Sequence, residues 1–179
     1  MKKILTILLT ITILSSCSKE RKAQKQLEAD VIATKALALT LSTGSVYIPN
    51  IFTPNGDGIN DSMIVYKQNI DSLWLSINNS KGEPVLNIFD HSGGVRMSAW
   101  GGTPHSGYSA YKIVEEVYSY TITGETSSAE KFNTTGNVVT ITHPENYCFR
   151  DDTDSFFPNQ FNGLSFDKAI NHLEKDNCR

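Results

Sequence analysis

Asn55, Asp57 and Asp61 fall at alternate positions of the stretch Asn55-Gly56-Asp57-Gly58-Ile59-Asn60-Asp61, and Ile59 completes the spacing through its carbonyl. Oxygen donors at every second residue are what a loop uses to wrap calcium. The full calcium-binding pattern needs a glutamate at its twelfth position, where Tyr66 stands. The same residues also specify a metal-free turn, because glycine accepts left-handed backbone angles and Asn and Asp side chains fold back on nearby amides. A structural turn is the first expectation, and a Ca2+ site at Asn55, Asp57, Ile59 and Asp61 is the alternative. Catalytic constellations are harder to find. His91, His105, His143 and His172 lie far apart without paired-ligand spacing, and His91-Ser92-Gly93-Gly94 does not make the GxSxG of a nucleophile elbow. Asp151-Asp152 reads as a solvated or ion-binding loop rather than a catalytic dyad.

Cysteine supplies the other chemistry. Lys2 and Lys3 precede an apolar or hydroxyl run from Ile4 to Leu14, and Ser15, Ser16 and Cys17 follow. That is the three-part layout of an export signal, and the run is about half of the roughly 20 residues a membrane-spanning helix needs. Leu14-Ser15-Ser16-Cys17 resembles a bacterial lipoprotein lipobox. The resemblance implies lipidation of Cys17, cleavage before it and anchoring in a membrane; an ordinary secretory signal is the alternative. Ser18, rather than an aspartate, follows Cys17, which by the same resemblance points to the outer membrane, facing the periplasm or the surface. Cys148 and Cys178 then remain as a pair in an oxidising compartment, where a disulfide is expected and two free thiols are the alternative. No CxxC accompanies them, so zinc is not expected.

The chain has 179 residues, a formal charge of -3 and 20% charged residues. Losing residues 1–16 removes two of its 16 basic residues and none of its 19 acidic ones, so the mature chain is more acidic still. A nucleic-acid partner, which needs a clustered basic face, is not expected. The length suits one globular domain with extensions. Residues 17–45 read as a lipidated tether, in which Ala23, Leu27 and Val31 permit a short helix. From Val46 onward, β-branched and aromatic runs take over: Val46–Ile48, Met63–Tyr66, Leu73–Ile77, Val85–Phe89, Val117–Thr123 and Val138–Thr142. Lys81-Gly82-Glu83-Pro84 marks a hairpin turn, and the polar stretch from Gly124 to Gly136 reads as a longer hairpin loop. The fold class is mainly β, an antiparallel sandwich of about seven strands. Residues 143–179 form an extension in which Ser165 caps a short helix carrying Phe166, Ala169, Ile170 and Leu173 on one face.

Asn50-Ile51-Phe52-Thr53-Pro54-Asn55-Gly56-Asp57-Gly58-Ile59-Asn60-Asp61 resembles the opening signature of the gliding motility-associated C-terminal domain family. Weaker matches follow in the family's order: Leu75 to Val85 as strand, turn and strand; Trp100-Gly101-Gly102 for its WDG; Val117-Tyr118-Ser119-Tyr120; and Thr135-Gly136-Asn137-Val138. The resemblance covers about residues 46–142 and implies an Ig-like sandwich associated with type IX secretion. Ser80-Lys81 replaces the usual aromatic before the central glycine, Gly101 replaces the aspartate of WDG, and residues 143–179 follow the domain. The fold then serves as the body of a small lipoprotein rather than as a terminal sorting signal.

The leading expectation is a non-enzymatic outer-membrane lipoprotein whose sandwich is a structural or binding module, with a protein or glycan partner at the envelope. The alternative is a component or degenerate cargo of the type IX secretion or gliding machinery. A small hydrolase acting through His91 or His143 is a third.

Overall fold

Apolar residues at every second position send one face of each strand inward, and the computed structural model closes those faces against one another. It describes residues 21–101, 114–149 and 155–178. Helix α1 covers residues 21–33. Nine strands follow among the described residues: β1 (Leu37–Thr40), β2 (Ser45–Ile48), β3 (Ile51–Phe52), β4 (Met63–Gln68), β5 (Ile70–Asn78), β6 (Pro84–Asp90), β7 (Arg96–Trp100), β8 (Val117–Thr126) and β9 (Lys131–Thr140). They make a four-stranded sheet ordered β1-β2-β4-β7 and a five-stranded sheet ordered β3-β9-β8-β5-β6. Between the sheets lie Val46, Ile48, Phe52, Met63, Val65, Leu73, Leu75, Ile77, Tyr118, Tyr120, Ile122 and Val138. The expected β-sandwich is present, with nine strands instead of about seven.

The pairing departs from an all-antiparallel sheet at one edge, where β3 runs parallel to β9 with Ile51 opposite Val139. Parallel pairs are buried on both faces, and this one is. Phe52 and Val138 face the sandwich core. Ile51 and Val139 face the other way, under a second apolar layer of Leu27, Val31, Ile141, Tyr147, Phe149 and Phe157. The presumed tether and the C-terminal extension are thus both parts of the folded body. Within the described part of the stretch read as a tether, residues 21–45, α1 packs Leu27 and Val31 on the sheet and β1 pairs with β2. Asn50, just ahead of β3, fastens both flanks. Its buried side chain donates to the Thr34 carbonyl at 2.6 Å and accepts from the Phe156 amide at 2.7 Å. Glu115 adds a further tie, its carboxylate accepting from the Thr142 and His143 amides and from the Tyr147 hydroxyl.

Two other expectations are corrected. The stretch from Gly124 to Gly136 is strand except for residues 127–130, since β8 and β9 pair as far as Glu125 with Lys131. Its polarity reflects an outward face, and its glycines make room for rings: Tyr120 is opposite Gly136 and Phe132 opposite Gly124. A Cβ on Gly136 would fall inside the Tyr120 phenol.

No helix forms after Ser165 among the described residues. The amides that a helix would use are taken by nearby side chains. Asp167 accepts from Ala169, Asn171 from Leu173, His172 from Glu174 and Asp176 from Cys178. Such local bonds compete with helix formation. The anticipated stripe is dispersed: Phe166 stacks on Phe156, while Leu173 sits at φ 66° and is exposed.

Gly136→Ala is expected to destabilise the domain by about 1–3 kcal/mol through overpacking against Tyr120. The outward-facing neighbour Thr135→Ala should stay within about 0.5 kcal/mol of wild type. Urea unfolding midpoints measure both, and an unchanged Gly136→Ala midpoint would refute the ring-seat assignment.

Candidate functional site: the signature loop and its cleft

Thr53 follows β3 directly, and its amide donates to the Asn60 carbonyl at 2.9 Å, closing the loop on itself. Gly56 and Gly58 take φ of 83° and 88°, angles that glycine adopts without steric cost. This lets successive amides point inward. Asp61 accepts from Gly56 at 2.6 Å and from Gly58 at 2.7 Å, one bond to each carboxylate oxygen. Asp57 accepts from the Ile59 amide at 2.8 Å, and Asn55 from the Asp57 amide at 3.0 Å. The four residues singled out for calcium are brought together, and side-chain oxygens of Asn55, Asp57 and Asp61 are turned onto backbone N–H groups.

Asn60 carries the loop's connection to the rest of the molecule. Its side-chain amide donates to the His172 carbonyl at 2.8 Å and to Glu174 Oε1 at 3.0 Å, and its Oδ1 accepts from the Asn159 amide at 3.0 Å. The Thr53 hydroxyl also donates to Glu174 Oε1. Glu174 is only 8% exposed, and its Oε2 is buried without a hydrogen-bond partner. Burial raises the Glu174 carboxyl above the usual glutamate range; the Thr53 and Asn60 bonds oppose this, and the nearby charges of Asp57 and Asp61 reinforce it. None of Thr53, Asn60, Asn159 and Glu174 announces this role in sequence, because the partners lie about a hundred positions apart.

Between the loop, the outer face of β4 and β7, and the C-terminal segment lies a cleft of about 360 Å³. Asp61 from the loop, Arg96 and Ser98 from β7, and Asn159 and Leu173 from the C-terminal segment line it. Tyr66 forms part of the lining: its hydroxyl donates to the Pro158 carbonyl at 2.6 Å and its ring stacks on Phe161 at 4.0 Å. Burial raises the Tyr66 phenol, against the pull of the Arg96 charge. The cleft thus offers a carboxylate, a guanidinium and amide groups on walls from the loop, β4, β7 and the C-terminal segment.

The far end of the C-terminal segment is held covalently, by a Cys148–Cys178 disulfide with Cα atoms 4.6 Å apart, as expected. The Asn177 amide donates to the Tyr147 carbonyl beside it. Cys17 and the signal segment 1–16 lie outside the described residues, as do His105 and Asp151-Asp152. The other histidines stand apart: His91 stacks on Phe89, His143 sits beside Glu115, and His172 stacks on Phe157.

The raised Glu174 carboxyl gives a signed pH effect. A carboxyl whose folded value is raised favours the fold below its ordinary range, and that contribution is lost as pH rises through the folded value. Glu115 has the opposite sign. Burial would raise it, but the Tyr147, His143 and Thr142 bonds hold it low, so its contribution is lost as pH falls. Glu174→Gln should therefore gain in melting temperature relative to wild type as pH goes from about 4 to about 7. A melting temperature of Glu174→Gln minus that of wild type that stays constant or falls over that range would show that burial does not raise the Glu174 carboxyl.

Comparison with known proteins adds the family. No curated protein matches the chain. The solved structure of CopC from Methylosinus trichosporium OB3b is similar at a TM-score of 0.37 and 9% identity, over 63% of this chain and 99% of that one, a likeness too low to support argument. A family profile described as CHU_C Type IX secretion signal domain matches residues 46–141, which agrees with the resemblance read from the signature loop. The chain belongs to the CHU_C type IX secretion signal domain family.

Proposed function

We propose that this protein is a non-enzymatic outer-membrane lipoprotein, anchored through Cys17, whose CHU_C sandwich is the body of a structural or binding module at the cell envelope. The observation that carries the reading is the fastening of the signature loop to the C-terminal segment. Asn60 and Thr53 bond to His172, Asn159 and Glu174, and Asn50 holds the Phe156 amide. A domain used only as a detachable address would not need Asn50, Thr53 and Asn60 of its signature bonded to the chain that follows it. Family membership itself supports the second reading, a component or cargo of the type IX secretion or gliding machinery.

Fractionation with intact-mass analysis, comparing wild type with Cys17→Ala, tests the anchor. The expected result is acylated wild type in the outer membrane and soluble Cys17→Ala. Both forms unacylated in the medium would overturn it in favour of secreted cargo. Protease shaving of cells with and without a working type IX translocon distinguishes the readings further, since surface exposure that disappears with the translocon supports handling by that machinery.

The loop serves this module as a metal-free structural turn. Its support is that both Asp61 oxygens and one oxygen each of Asn55 and Asp57 already accept backbone hydrogen bonds. Calcium added after chelator treatment is expected to leave the melting temperature unchanged. A rise that Asp61→Asn abolishes would establish a Ca2+ site instead.

A further inference from the structure

The outer face of the five-stranded sheet is divided in two. At the β3–β9 end it is covered by α1 and the C-terminal aromatics, and Val117 at the start of β8 still packs under that cover. Beyond it the face is open, and its composition changes. Trp74 on β5 stands between Phe89 on β6 and Thr123 on β8, and Asn133 on β9 completes that row. In the next row Ser76 stands between Asn87 and Thr121, with Thr135 beyond.

Two features of this surface call for a ligand. The first is an exposed aromatic ridge. Trp74 is 45% and Phe89 53% exposed, with ring centroids 5.5 Å apart, and His91 stacks on Phe89 at 5.6 Å and 18°. Large rings on a polar sheet face are costly to leave in water, and neither is needed for the core, which lies on the other face of these strands. The second is the chemistry around the ridge. Every outward residue in the two rows is a hydroxyl, an amide or an aromatic, and no charge appears until the Glu125–Lys131 pair at the sheet's end. This neutral patch sits on a chain with more acidic than basic residues.

Charge and polarity together choose the occupant. A nucleic acid needs cations to meet its phosphates, and this face has none in those rows. A stable protein interface needs a desolvated apolar centre, whereas the other outward residues of these two rows are Thr, Ser and Asn. A neutral saccharide has matching chemistry: C–H faces that lie on aromatic rings, and hydroxyls that both donate to and accept from Ser, Thr and Asn. We propose that the Trp74–Phe89–His91 ridge, with the hydroxyl and amide rows beside it on β5, β6, β8 and β9, binds an uncharged polysaccharide. This goes beyond the envelope reading and depends neither on the anchor nor on the export route.

The test is affinity electrophoresis of the full chain carrying Cys17→Ser, in gels containing a β-glucan, a galactomannan or dextran, with alginate as the charged comparison. At least one neutral polymer is expected to retard the protein. Trp74→Ala/Phe89→Ala should weaken that retardation about tenfold or more, while Leu164→Ala, an exposed residue elsewhere, leaves it unchanged. Melting temperatures check that each variant folds. If the double variant does not fold, Thr123→Glu decides the matter, since it keeps both rings and sets a charge beside them; it should also weaken retardation. The proposal is overturned if no neutral polymer retards the protein, if alginate alone does, if the ring or Thr123 variants bind like wild type, or if the ridge instead joins two copies in sedimentation.

Discussion

The buried carboxamide of Asn50 holds the end of α1 on one side and the C-terminal segment on the other, and the rest of the architecture follows from why it must. The two residues after it form β3, which joins the sheet edge in parallel with β9 and carries an apolar side chain on each face. Phe52 is covered by the sandwich itself. Ile51 and Val139 have no such partner within the strands, and leaving them in water would forfeit roughly 1.5–3 kcal/mol each. Segments outside the sandwich must therefore fold over the edge. The buried Asn50 amide, bonded to Thr34 and Phe156, ties both segments to that edge.

This explains why the family boundary and the folded boundary differ. The matched region, 46–141, contains the strand that needs covering but not Leu27, Val31, Tyr147, Phe149 and Phe157, which cover it. The signature loop inherits the consequence. Starting one residue after β3, it emerges beside the returning C-terminal segment, and Asn60 and Thr53 meet Glu174 there. The disulfide fixes the end of that segment. By the chain-entropy account, closing a loop of 30 residues contributes about 3–4 kcal/mol, drawn from the unfolded state. The extension is thereby kept near the loop whose Asn60 needs it.

What could be read from the chain divides along the same physical line. Strands with an alternating apolar face were legible, as were the Asn-Gly-Asp-Gly turn and the cysteine pair, because each rests on local chemistry. The two-residue β3 was not, since nothing local marks so short a strand. The end of β8 from Gly124 and the first part of β9 to Gly136 looked like loop because their outward residues are polar and their glycines seat rings from the partner strand. The C-terminal helix was anticipated from a Ser165 cap and apolar spacing; the Asx bonds of Asp167 and Asn171 show how such signals fail when nearby side chains take the amides a helix would use. Glu174 was invisible because its significance lies in what it is packed against, on the opposite end of the chain.

The core contains a second polar device with a different task. Lys67 on β4 is 1% exposed, and its ammonium lies 2.8 Å from Asp90 at the end of β6, in the opposite sheet. Burial would raise the Asp90 carboxyl, and the Lys67 ammonium and Ser92 groups more than offset this, keeping it ionised as a partner. Buried pairs of this kind add little net stability over apolar residues of the same shape, yet losing one member is severe. The pair therefore acts more on geometry than on stability. Leu73, opposite Asp90, faces inward, while Trp74 and Phe89, the next residues along, face outward. With a side-chain period of two, a slip of one residue in β6 would carry Phe89 into the core and Asp90 into solvent. An ion pair that tolerates neither outcome locks the register, and with it the outward placement of the aromatic ridge.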